Sequence, residues 1–203
     1  MAVAALAAGI MHQFMPATFR VSPHWVYPTF WLVFLVVLIA GDPGLIDRQR
    51  PWLRVTTGLM IGLITVVNGV AAIRLVAGIL SQRSFDTAGQ LLGIGAIVWT
   101  TNVIAFALWF WDLDGGGAAA RAARGNQANA AFVFPEMSLP ELVPPDWYPK
   151  FVDYLALSFN TAMAFSPTDV SAIKPWAKAM VIVESLISLA LAALVIARAI
   201  NIL

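Results

Sequence analysis

The sequence predicts an all-α integral membrane protein, with four transmembrane helices plus a short re-entrant helix. Three observations carry that expectation. Of 203 residues, 60% are apolar and only 11% charged, against about a quarter charged in an ordinary soluble domain. Three stretches are long and apolar enough to cross a bilayer unaided, and a fourth closes the chain. Finally, Lys150 to Ala164, KFVDYLALSFNTAMA, reads as a helix running straight into a polar, proline-bearing turn, FSPTD, from Phe165 to Asp169. At ~1.5 Å per residue this helix covers only ~20 Å, short of a ~30 Å hydrocarbon core. Non-helical backbone at membrane depth survives only where protein buries it or water reaches it.

Charge and composition exclude several classes of function. The net charge of +1 points neither to nucleic acid nor to a strongly anionic partner. With no cysteine, disulfides, thiol catalysis and thiolate metal sites are all absent. His12 and His24 lie near the expected surface without spaced partners, so no metal is expected. No nucleophile–base set appears either, and neither an enzyme nor a cofactor is expected.

Each element follows in order. Residues 1–24 open with MAVAALAAGIMHQF, which lacks the basic start and cleavage pattern of a secretory signal and reads as an interfacial or partly inserted helix. A two-helix hairpin covers 25–85. Its first span, His24 to Ala40, starts with the interfacial aromatics Trp25, Tyr27 and Trp31. The loop Gly41 to Arg54 carries Pro43, Gly44 and Pro51 as breakers. The second span runs from Val55 to Leu80, where Gly58 and Gly62 offer a face for close helix approach. Arg74 either snorkels to the interface or pairs with Glu184, the only acidic residue deep in another span. Asn68 and Asn102 read as interhelical hydrogen-bonding groups.

Residues 86–203 form the last unit. A third span, Leu91 to Trp111, ends in WFWDLD and is stopped by Gly115, Gly116 and Gly117. Asp112 and Asp114 read as solvated acids at its end. Ala118 to Pro149 is proline-rich and extramembrane, too short for an independent domain, and is expected to pack over the embedded part. The final span begins at Pro175 or Trp176.

From Tyr154 to Ile196 the chain resembles the pore module of the potassium-channel superfamily. That family's filter is usually written T-A-T-T-V-G-Y-G-D, followed by W-G-R at the start of the inner helix. Here Thr161 and Ala162 are followed by MAFSPT and Asp169 at the same spacing, and Trp176-Ala177-Lys178 stands where W-G-R would. The resemblance implies an outer helix at 90–112, a turret at 113–149, a pore helix at 150–164, a filter-like turn at 165–169 and an inner helix at 175–203. It further implies a homotetramer in lipid, with Thr161, Ala164, Phe165, Ser166, Pro167, Thr168 and Asp169 as filter or ion-binding residues. Asn160, Glu184 and Ser188 would support the filter or line the cavity. Both filter glycines are missing, and they are what permits the strained backbone that aims carbonyls at potassium. The implied activity is therefore passive permeation of another ion, or poor selectivity. A non-conducting scaffold that keeps the channel fold, or a small transporter or lipid-binding protein, are the alternatives.

Ala-Phe-Ser-Pro-Thr-Asp, Ser-Leu-Ile-Ser-Leu and the ending Ala-Arg-Ala-Ile-Asn-Ile-Leu are also similar to uncharacterised bacterial integral membrane proteins. That similarity implies a multi-pass protein of the bacterial inner membrane. The channel resemblance sets 113–175 outside, whereas the arginines of the first loop favour the opposite orientation.

Overall fold

The computed structural model describes residues 1–17, 19–20, 29–30, 32–33, 36, 51–81, 85, 87–118, 120–121, 129–167 and 169–202. The helices are α1 (Ala2–Gln13), α2 (Pro51–Leu80), α3 (Ala88–Leu113), the single turn α4 (Pro135–Ser138), α5 (Phe151–Ala164) and α6 (Pro175–Ile202). Two short strands, β1 (Phe132–Val133) and β2 (Ser171–Ala172), pair antiparallel. Among the described residues, three segments are long and apolar enough to cross a bilayer: Arg54–Leu80, Ala88–Gly116 and Pro175–Ile202. The chain is thus a helical membrane protein. The span expected over His24 to Ala40 falls largely outside the described residues.

α3 is the central helix. Of its apolar window 67% is buried inside the protein, against 28% for α6, and α1, α2, α5 and α6 all pack on it. Its start is capped by the Thr87 side chain, which accepts from Gln90 N at 3.1 Å. Its end is abrupt because Gly115, Gly116 and Gly117 all take positive φ, a conformation open to glycine at little steric cost. A Cβ on Gly115 would also lie 2.8 Å from Arg121 Cγ.

Along α3 the packing changes character. Near its start, Leu91, Ile94 and Val98 meet Leu75, Leu191 and Val195. Here Gly95 lets α6 come close: a Cβ would sit 2.7 Å from Val195 Cγ1. Among the described residues the close approach falls at Gly95, whereas a Cβ on Gly58 or Gly62 would meet nothing within 4 Å. Farther up, α1 lays Ala5 and Ala8 against Ile61, Ile64, Ile104 and Leu108. The far end is aromatic, with Phe106 and Phe110 beside Phe132, Tyr154 and Trp176.

α5 and α6 run side by side in the same direction. Near their starts, the rings of Tyr154 and Trp176 both stand edge-on to Phe132, at 6.4 and 6.0 Å. Farther along both helices, Ser158 meets Glu184. Residues 165–174 therefore retrace the length of α5. At ~3.3 Å per residue they reach ~33 Å, ample for the ~21 Å of a 14-residue helix. The returning strand is held at its end by the pairings Phe132↔Ala172 and Val133↔Ser171. Ile173 N also donates to Ala131 O (2.8 Å), and Lys174 Nζ to Asn129 O and Oδ1 (2.7 Å each).

Candidate functional site

α5 begins where the sequence supplies an N-terminal acid. Asp153 accepts from the backbone N of Lys150 at 2.7 Å, which satisfies an orphan donor and sets negative charge at the positive end of the helix dipole. The helix stops at Phe165, which adopts a left-handed conformation at φ 57, strained for a bulky residue. Beyond it, Ala164, Phe165, Ser166 and Asp169 are exposed and Pro167 is half-buried. Thr168 lies outside the described residues.

The buried face of α5 points at α3 and α6. Ser158 Oγ donates to the Val103 carbonyl at 2.8 Å and is also hydrogen-bonded to Glu184 Oε1. Asn102 Nδ2 donates to Ser188 Oγ (3.4 Å), tying α3 to α6 in the same layer. Asn68 continues it to α2: in the amide orientation that satisfies both ends, it donates to Val98 O (3.2 Å) and accepts from Asn102 N (3.3 Å). Ser158, Thr161, Glu184 and Ser188 are all at 0% exposure. Among the described residues, Thr161 Oγ1 and Glu184 Oε2 have no hydrogen-bond partner.

A second polar cluster locks the tops of α3 and α5. Asp114 is fully buried and accepts from Ala131 N (2.5 Å) and Tyr154 Oη (2.6 Å), one on each carboxylate oxygen. Arg121 Nη1 donates to Trp111 O (2.8 Å) and Asp114 O (2.5 Å), and its guanidinium lies over the Tyr154 ring at 5.0 Å. Burial, with the Asp114 carboxylate beside it, pushes the Tyr154 hydroxyl well above its ordinary range and keeps it a donor. Asp112 is buried too. Neither aspartate is the solvated acid the sequence suggests; at Asp114 the reason is that residues 129–134 fold back over the end of α3 and donate to it.

The site residues expected from sequence thus separate into three places. Thr161, Glu184 and Ser188 belong to the buried layer. Ala164, Phe165, Ser166, Pro167 and Asp169 form the exposed turn. Asn160 is half-buried and lines an apolar groove of ≈ 800 Å³ between α1, α3 and α5, with Ala7, Trp99, Val103, Leu155 and Phe159. Arg74 does not pair with Glu184: it is exposed and donates to the Arg20 carbonyl at 2.9 Å. His12 is buried at 4% exposure and not at the surface. Among the described residues no group of three or more potential metal ligands of the His, Cys, Asp and Glu types occurs.

Ser158, Tyr154 and Arg121 carry the geometry and were not singled out from sequence, and Asp114 was read there only as a solvated helix end. For Ser158 the signal was available: with Thr161 it forms an i, i+3 polar pair on the otherwise apolar face of a short helix. No family model, no curated protein and no solved structure matches the chain.

Proposed function

We propose that the chain is a subunit of a potassium-channel-like homo-oligomeric ion channel with an altered filter, and that α5 is its re-entrant pore helix. The supporting observation is the path of residues 151–202. A 14-residue helix ends in a polar turn, the chain retraces that helix, and α6 then runs alongside it. The C-terminal end of α5 carries the negative end of the helix dipole, which favours a cation beyond it. Ser166 and Asp169 are exposed on a single chain, as residues facing a shared axis would be. One chain contributes one strand to such a path, so the reading requires an oligomer, most simply a tetramer in the bacterial inner membrane.

The test is ion flux in liposomes together with the oligomeric state by native mass spectrometry. Asp169→Asn lowers cation flux relative to anion flux, and Ser166→Ala changes the order of permeant cations. A monomer, or a tetramer that passes none of sodium, potassium or chloride, removes the reading.

The apolar groove beside Asn160 favours a second reading, a lipid-binding protein whose groove takes an acyl chain. Phospholipid that co-purifies with the wild type and is lost on Ala7→Trp would support it.

A further inference from the structure

The buried layer at the crossing of α3, α5 and α6 holds a carboxylate with no visible counter-charge. Glu184 is completely enclosed, and among the described residues one oxygen meets only the Ser158 hydroxyl and the other has no hydrogen-bond partner. An isolated ionised carboxylate in such surroundings is among the most unfavourable groups a protein can bury. Replacing its hydration requires a positive charge.

The residues around it do not provide one. From α3 the groups at this level are Asn102 and the Val103 carbonyl, and from α5 Ser158, with Thr161 buried three residues farther along the helix. The titratable groups of α5, Asp153 and Tyr154, lie in its first turn, where Tyr154 is held by Asp114. Asp112 and Asp114 sit at the far end of α3. On α6 itself, Lys178 and Arg198 lie well over a turn away in either direction, and Arg74 of α2 is committed to the Arg20 carbonyl. No cation pairs with Glu184 among the described residues.

Hydrogen-bond counting makes the same demand. Ser158 Oγ has one proton but faces two acceptors, the Val103 carbonyl and Glu184. A proton on Glu184 resolves this, since Glu184 then donates to Ser158 and Ser158 donates to Val103. A sodium ion would instead neutralise the carboxylate, drawing on the hard oxygens of Glu184 and Ser158. Thr161 lies three residues from Ser158 on the same helix face, and its Oγ1 is also without a partner among the described residues, so it is the further oxygen such an ion could recruit.

We infer that Glu184, Ser158 and Thr161 form a buried binding site for one monovalent cation, a proton or a sodium ion. The site stands independently of the pore reading, because it lies on the packed face of α5 and not on the exposed turn.

The experiment measures the thermal midpoint of the purified full chain in nanodiscs, at pH 6 to 9.5, in choline or sodium buffer. In choline the wild-type midpoint falls by ~5 °C or more as pH rises above neutrality and the proton is stripped, while Glu184→Gln, neutral throughout and able to donate to Ser158, stays flat on that alkaline side. Sodium that restores the wild type at high pH, but not Thr161→Val, assigns the site to sodium; the absence of restoration assigns it to the proton. Wild type and Glu184→Gln running parallel under all conditions overturns the site. Should Glu184→Gln not fold, carbodiimide labelling of wild-type Glu184 replaces it. Labelling at pH 6 in choline that declines with pH or sodium supports the site, and none at pH 6 in choline overturns it.

Discussion

Asp114 and Glu184 are both carboxylates at 0% exposure on helices that meet α5, yet they are built in opposite ways. Asp114 has a donor on each oxygen, an aromatic ceiling and a guanidinium stacked on the tyrosine that donates to it. Glu184 has one shared hydroxyl and an open oxygen. A buried acid with a donor on each oxygen is a structural rivet. One left half-answered in the middle of a span is where a ligand belongs.

The largest effect that separates the two is expected from Asp114→Ala. It strands the Tyr154 hydroxyl and the Ala131 amide, at about 1–3 kcal/mol for each buried donor, and releases the loop that carries β1. A midpoint many degrees below wild type at every pH is the expected outcome. Glu184→Gln should cost far less and change the pH response instead. If Asp114→Ala were the milder of the two, the distinction between rivet and binding site would be wrong.

Gly95→Ala comes next. The new methyl would press on Val195 two turns from Asn102 along α3, and overpacking of this kind costs about 1–3 kcal/mol. Because the Asp114 cluster pins the other end of α3, the strain should open the Glu184 layer between them. The variant is then expected to weaken the response of the midpoint to pH or sodium, beyond its uniform loss of stability. An unchanged response would mean that the layer does not depend on how closely α3 and α6 approach.

Gly95 also marks how far the sequence could be read. Apolar spans and the short helix over 150–164 were legible because run length and a breaking proline are local signals. Which glycine brings two helices together is not local. Gly58 and Gly62 carry the familiar four-residue spacing and meet nothing in the described structure, while Gly95 meets Val195 a hundred residues later in the chain. Asp114 misled for the same reason. Asp-Gly-Gly-Gly after an aromatic belt looks like a helix end in water, and only the fold-back of residues 129–134 buries it. Glu184 was legible as an intramembrane acid, but its partner Ser158 had to come from another helix.

The smallest expected effect concerns a third buried titratable group, and it guards the other comparison against a false reading. His12, in the last turn of α1, is buried; burial, and secondarily Arg20, hold its pKa below the ordinary value. The native state therefore favours neutral imidazole, while the unfolded chain takes up a proton near pH ~6.5. Between those values the unfolded state binds more protons, so stability falls as pH falls through that window. The Glu184 site loses stability in the other direction, as pH rises. A wild-type profile should accordingly slope down on both sides of neutrality, with His12→Gln flattening only the acid side and Glu184→Gln only the alkaline side. If His12→Gln flattened both, the alkaline limb would report the docking of α1 and not the carboxylate between α5 and α6.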